Sequence, residues 1–530
     1  MQATRKRNHR EAGVALIIAL FVLVILSVLA ASILLVTQAE TWSAANSRSM
    51  LQARYAAEAG AQKAMYWLHY TYSPPANMAA FDATKYPMQL TGGGDVILSA
   101  MTGVTGTYPA AEQCGGVSCQ IAFSNALKDA SVPGLGVPAS YEVTAKLLSS
   151  NPGAAVSWMG GGGGGAIQTW QITSQGNVPG VRNAQVQVTE IIDRTGTPIF
   201  NYAVAATSFG CKAIDFGGSD FTDSYNSSAG PYGAGNSSPS GGNIATNGNV
   251  YLGSGANIEG TVSALNTTVG ACPDGITSSG SFSAASKLSA PLNYPLPWGC
   301  ASTPCYPSPL PPTTAQDVST SCSGISGCTK NGTVTLLDNN SSKTANVYTL
   351  TPGTYGNVEI DNADVVHLSA GTYDINSLNL KQDGQIVVDS GPVVLDIAGQ
   401  GFTTGSVVIN SGGLSGWNLC ANGVTGNPGT YSTASCNGAA KTPISGIPAN
   451  LQIVYAGTAA ISTTGAPCSS AIYAPNAYVN TVGGAVGLYG SIISKTFLEG
   501  SKAPVHYDKA LQNLMVPGPY YPISFTWSKF

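Results

Sequence analysis

Charge is scarce in this chain. Only 9% of its 530 residues are Asp, Glu, Lys or Arg, and no arginine follows Arg194. The formal net charge of -4 gives no reason to expect nucleic acid as a partner. Histidine is almost missing: past the first ten residues only His69, His367 and His506 occur. No two cysteines have C-x2-C spacing, which leaves a zinc site little to draw on. The sequence holds no G-x-S-x-G, no H-E-x-x-H and no two adjacent aspartates. Its longest glycine run, Gly160 to Gly165, has neither the lysine nor the following helix of a phosphate-cradling loop, and reads as a flexible hairpin loop. These absences argue against a hydrolase, a metalloenzyme or a nucleotide-binding enzyme, and no cofactor is expected.

Apolar and β-forming residues are plentiful instead. Hydrophobic residues reach 43% and glycine numbers 64, a composition suited to many short strands joined by turns. Four basic residues stand together at the front, where Arg5, Lys6, Arg7 and Arg10 precede Gly13. From Val14 to Val36 there is no charge and no proline, and only Ser27 and Ser32 are polar. That run is long enough to span a bilayer as a helix, with the basic leader kept on the cytoplasmic side. An ordinary secretory signal would have a shorter apolar core and a small-residue cleavage site after it. A plain anchor would span and stop. A prepilin signal would be cut on the cytoplasmic side, between Gly13 and Val14.

The sequence after the span separates these readings. "TQAETWSAANSRSMLQARYAAEAGAQKAMYWLHYTY" has no proline and is rich in good helix formers. Ala53, Ala57, Gly60, Ala64 and Trp67 recur at three- and four-residue spacing and form one small-residue stripe, a side suited to close packing. Pro74 and Pro75 end the pattern. The stretch "GVALIIALFVLVILSVLAA" followed by "LQARYAAEAGAQKAM" resembles the N-terminus of type IV pilin-like proteins, and of PilX-type minor pilins in particular. The resemblance implies a prepilin peptidase as processing partner, a mature chain starting at Val14, a single membrane pass, and a helix that packs with other pilins. Major pilins carry a Glu at the fifth position after the cut; here it is Ile18. Two readings of Ile18 stay open: a subunit with no neighbour above it, as at a filament tip, or sequence drift in a low-copy subunit.

The rest of the chain reads as β structure of two textures. Between 76 and 198, the segments 95–101, 141–148, 167–176 and 182–192 are short strands, with Val186 and Val188 on one face and Gln185, Gln187 and Thr189 on the other. The last two read as a hairpin around "GNVPG". An antiparallel sheet on the outer half of the helix is what the resemblance implies. From about 199 the pattern changes to "TPGTYGNVEIDNADVVHLS" followed by "AGTYDINSLNLKQDGQIVV", with Tyr355 and Tyr373 in matching G-T-Y triplets 18 residues apart. Short apolar runs between Gly, Asn and Ser turns fit stacked rungs of a parallel β-helix, with a β-sandwich as the alternative. "FNYAVAA", "AIYAPNAYV", "LYGSIIS" and "VHYDKAL" resemble the C-terminal domain of some PilX-like proteins. The expected organisation is a leader (1–13), a membrane and pilin helix (14–75), a pilin-like sheet domain (76–198), a β-helix-like domain (199–515) and a tail (516–530) whose aromatics cover the last rung. The fold class is α+β.

Eleven cysteines fall mostly into close pairs. With an exported chain, disulfides are expected for Cys114–Cys119, Cys300–Cys305, Cys322–Cys328 and Cys420–Cys436, then Cys211–Cys272, leaving Cys468 over. "APLNYPLPWGCASTPCYPSPLPP" reads as a disulfide-pinned, proline-rich excursion. Asp215, Asp220 and Asp223 are the one tight carboxylate group of the β region; they read as solvated loop acids, with calcium ligation as the rival. His506 and Asp508 share a face if their segment is a strand, and read as a structural closing motif. Two function classes follow. The first is a minor pilin acting in pilus assembly or initiation and presenting its β domain at a filament tip, to a surface glycan or protein. The second is the tip pseudopilin of a type II secretion system. A polysaccharide-active β-helix enzyme is a distant third, since β-helices often act on polysaccharides while this chain lacks the clustered carboxylates and basic residues such sites use.

Overall fold

The computed structural model describes residues 9–529, apart from 73, 75–79, 83, 129, 133–137, 152–155, 160–166, 180–182, 234, 339–340, 362–363, 382–383, 413–415, 418–446, 464–467, 482–486 and 501–503. The six-glycine run, Pro75 and the pair Cys420 and Cys436 lie outside the described residues. Two compact units emerge: one of Met1–Pro152, Gly162–Thr195 and Pro519–Phe530, the other of Gly153–Gly161 and Gly196–Gly518.

The smaller unit is built on one helix, α1 (His9–Tyr70), of 62 residues. Helix-compatible composition without proline lets it run through both the apolar and the polar halves. The hydroxyls in and after the apolar span are satisfied inside the helix. Ser27 donates to Leu23 O at 2.7 Å, Ser32 to Val28 O at 2.8 Å and Thr37 to Ile33 O at 2.9 Å. Every residue from Val14 to Arg48 is exposed. The outer half packs on an antiparallel sheet of Ile97–Ser99, Ser140–Asn151, Ile167–Val178 and Ala184–Pro198. Strand Ile167–Val178 alternates buried and half-buried along its whole length, as a sheet with one covered face must. Trp170 and Ile172 project from it into a core with Trp67, Leu68 and Tyr72 of the chain around the helix end. A short helix, α2 (Cys119–Leu127), is capped by Ser118, whose side chain accepts from Ile121 N; its Phe123 meets Trp67 edge-on at 5.1 Å.

The outermost strand of this sheet is Met515–Lys529, beside Ala184–Pro198. The aromatic tail therefore extends the small sheet; it does not cover a last rung of the larger unit. The reason lies in that unit's winding.

In the larger unit, three short strands recur per turn of chain, and each pairs in parallel with the strand one turn later. Val358 pairs with Leu378, Val366 with Ile386 and Tyr373 with Leu395. Leu378 then pairs with Ile409, and Leu395 with Ile453. Strands Val365–Leu368 and Leu451–Tyr455 are buried along their whole length, as parallel strands covered on both faces are. The inward residues form one continuous apolar core. The matching G-T-Y triplets do equivalent work: Tyr355 and Tyr373 each donate to the carbonyl four residues back, Thr351 and Ser369, and their rings stack at 6.3 Å. Their ladder is offset by two from the sequence repeat, since Gly353, not Tyr355, faces Tyr373.

The winding starts in the middle of the stack. From Val204–Ala206 the chain adds turns in one direction, ending at the exposed strand Ser281–Lys287. It then crosses outside the coils through the proline-rich segment and restarts at Ala315–Asp317. There a helical turn, Val318–Ser321, and the Cys322–Cys328 bond close that end over Tyr348, whose hydroxyl donates to Ser319 O at 2.7 Å. The chain winds back until Leu488–Glu499 and Val505–Asp508 pair with the first strands: Val204 with Ile492, Ile214 with Phe497 and Asp223 with His506. The last turn thus finds its cover in the first, and the tail is not needed there.

Candidate functional site

Three features carry chemistry or docking potential. The first is α1. Gly13 lies inside the helix, and Val14 and Ile18 are each 59% exposed. Among the described residues none shields the apolar span from Val14 to Val36, a surface suited to lipid or to other helices. The small-residue stripe packs within the chain. Ala53, Ala57, Gly60 and Ala64 are fully or almost fully buried against the chain's own sheet. A Cβ on Gly60 would strike the Tyr141 ring and the Ser174 hydroxyl, and one on Gly176 would strike the backbone at Ala53 and Ala57. A glycine on each side of the contact, at different points along it, lets helix and sheet approach closely, so this part of the stripe is used within the chain.

The second feature is the seam between the first and last turns of the larger unit. His506 Nδ1 lies 2.6 Å from Asp223 Oδ1, and the Tyr232 hydroxyl donates to Asp223 Oδ2 at 2.6 Å. The His506 ring sits between two tyrosines, stacked on Tyr489 at 4.8 Å and tilted against Tyr232 at 3.9 Å. Asp508 accepts from Ser227 N at 2.8 Å, Ser227 Oγ at 2.6 Å and Ala510 N at 3.0 Å. Burial raises the Asp508 carboxyl above its ordinary range, and burial, then the Asp223 charge, does the same for Glu259 nearby. The serine here gives its hydroxyl to Asp508, so these groups spend their bonds joining residues 223–227 to residues 506–508.

The carboxylates once grouped for calcium are not brought together. Asp215 bonds Lys212 at 3.0 Å, Asp220 accepts from Gly218 N at 3.0 Å, and Asp223 serves His506. They are not solvated loop acids either: Asp220 and Asp223 are 1% and 4% exposed. Asp223 lies on the strand Phe221–Tyr225 and Asp220 just before it, and burial requires each to find a partner. Among the described residues, no group of three His, Cys, Asp or Glu is placed to hold a metal ion. The sequence held the members of the seam, but nothing local in it links Asp223 to His506.

The third feature is the disulfide set. Cys114–Cys119, Cys211–Cys272, Cys300–Cys305 and Cys322–Cys328 are bonded, with Cα separations of 4.7, 5.7, 5.9 and 5.3 Å. Cys468 is a buried free thiol, 3.0 Å from Ser470 Oγ.

Comparison with known proteins adds little to this geometry. The family described as "Domain of unknown function (DUF7305)" matches residues 323–514, the returning turns of the larger unit. No curated protein matches the chain. Among solved structures, the competence-associated pilin ComZ from Thermus thermophilus aligns over 91% of this chain and 98% of its own, at 12% identity and a TM-score of 0.24. That score lies below the level at which a shared fold follows.

Proposed function

We propose that this chain is a PilX-type minor pilin of a type IV pilus, a structural and not an enzymatic protein. It is cut by a prepilin peptidase after Gly13, anchored by a single pass with its leader in the cytoplasm, and then carried outward into a filament. One observation carries the reading: a basic leader and glycine open an unbroken helix whose apolar half is wholly uncovered and whose outer half bears an antiparallel sheet. A secretory signal would not continue into a sheet-packed helix. The larger unit is read as a parallel β-helix, since its strands pair in parallel with those one turn on and enclose one apolar core. A unit of that size on every subunit would crowd a shaft, which favours a place at the tip, where it can meet a surface glycan or protein. Ile18 fits that place, because a subunit with none above it has no terminal amine to neutralise.

Two measurements test the reading. Intact mass of membrane-extracted protein, with and without prepilin peptidase, should show a mature chain beginning at Val14; an unprocessed chain refutes the prepilin assignment. Gold labelling against residues 351–400 should mark one filament end, and label along the whole shaft refutes the tip position.

A further inference from the structure

The proline-rich segment that crosses outside the coils is held by named contacts. Asn247 exchanges hydrogen bonds with Leu292, donating to its carbonyl at 2.9 Å and accepting from its N–H at 2.6 Å. The Tyr473 hydroxyl donates to Pro295 O, Gln400 to Pro311 O, and Asn357 to Thr313 O at 2.8 Å. Midway, Trp298 takes up a left-handed backbone conformation, φ 56°, uncommon for a bulky residue. Its ring packs with Tyr294 on the outer apolar cluster that includes Val394, Val454 and Tyr473.

Beneath this crossing, two aspartates face each other on successive turns. Asp374 of Gly371–Ile375 is the direct ladder partner of Asp396 of Val393–Ile397. Their strand neighbours Tyr373, Ile375, Leu395 and Ile397 point into the core, so alternation turns both carboxyls outward, under the crossing segment. They are only 6% and 5% exposed. Among the described residues, no Lys, Arg or His forms an ion pair with either. The neighbours on the same side are uncharged: Gln452 and Val454 follow on the next strand, whose Val454 pairs with Asp396; Tyr473 and Tyr294 are phenols that burial holds un-ionised; Trp298 is an indole. Asp396 Oδ1 and Trp298 Nε1 are both buried and neither completes a well-aligned hydrogen bond, although the indole N–H lies close enough to Asp396 to offset part of the effect of burial. Like charges one ladder step apart, away from water and without a cation, cannot both persist.

We propose that Asp374 and Asp396 form a proton-sharing carboxyl pair that keeps the crossing segment, residues 288–314, seated on the coils, and that loss of the shared proton loosens it. Burial pushes Asp374 up to about 6 and Asp396 up to about 7, the Asp374 charge adding to the latter. Both lie above the ordinary aspartate value of 3.8, so the folded state binds more protons than the unfolded one. The pair's contribution is complete below pH 4 or so and disappears as pH rises through about 6 to 7. The O–H of one carboxyl donates to the ionised oxygen of the other; when it leaves, two carboxylates repel beneath Trp298. A filament moving from acidic to alkaline surroundings would thereby expose the outer face of the coils around Val394, Val454 and Tyr473.

Hydrogen exchange of the detergent-solubilised full chain, corrected for intrinsic rates, tests this between pH 5 and 8.5. Protection of residues 292–314 should fall by at least about tenfold more than that of Ile167–Val178, since pH 5 lies about one unit below the lower of the two pKa values. Asp396→Asn and Asp374→Asn each leave a single buried carboxyl and should reduce the extra loss, and the double variant should abolish it. Loss that is uniform across the chain, or that persists undiminished in both variants, overturns the proposal. A protonated-carboxyl infrared component present at pH 6 in the parent, weaker in each single variant and lost in the double variant, gives an independent reading, and parent and double-variant spectra that match count against the proposal.

Discussion

His506 and Asp223 are 283 residues apart, and their side chains meet at 2.6 Å where the last turn of the larger unit docks on the first. The contact makes that unit a closed circuit of chain, with its start in the middle of the stack and its finish beside its start. Winding that begins at one end would leave the final strand open and would need a separate cover. Here the exposed last rung is Ser281–Lys287, a short strand mostly of serine and alanine that ends in a lysine, a composition that discourages further pairing.

Removing this contact should weaken the larger unit. Asp223→Ala leaves the Tyr232 hydroxyl and His506 Nδ1 without their acceptor, and the expected loss is about 3 kcal/mol. Urea unfolding followed by near-UV circular dichroism reads it. An unchanged midpoint would mean that the seam is held by its backbone ladder alone.

Gly176→Ala should be costly for a different reason. The new methyl has nowhere to go but the backbone of Ala53 and Ala57. Helix and sheet must separate, and about 2–3 kcal/mol is expected from overpacking. Protease sensitivity of the smaller unit should rise while that of residues 347–397 stays as it was; equal sensitivity in both would contradict the assignment of this glycine to the helix contact.

The four disulfides among the described residues should differ in weight. Cys211–Cys272 closes a separation of 61 residues and Cys300–Cys305 one of 5. Loop-closure entropy gives about 4 kcal/mol for the first and about 2 kcal/mol for the second. Paired serine substitutions at 211 and 272 should therefore lower the denaturation midpoint more than those at 300 and 305. The reverse order would show that the short loop has a packing role in seating the crossing segment.

Cys468 should be inert while the chain is folded. Burial pushes its thiol up to about 12, leaving little thiolate at pH 8. Iodoacetamide should label it only after denaturation. Rapid labelling of the native chain would place this strand nearer to solvent than its 1% exposure allows.

What the sequence determined by itself is what local physics fixes. The absence of proline and the run of apolar and helix-forming residues dictate one helix from the leader to Tyr70, because each hydrogen bond reaches only four residues. Strict alternation in Ile167–Val178 dictates a sheet with one covered face. The repeat of Tyr355 and Tyr373 marks turns of similar length, because each closes the same bond four residues back. Tertiary structure alone decided who lies beside whom. The small-residue stripe could serve another subunit or the chain's own sheet, and Gly176 on the facing strand settles it. The tail could cap either unit, and the first turn already occupies one of those places. Asp374 and Asp396 are separated by 22 residues and appear as unrelated acids until the ladder register sets one against the other. Parallel strands are joined by their backbones, which are alike at every residue, so the partner and its register come from how the apolar side chains pack across turns.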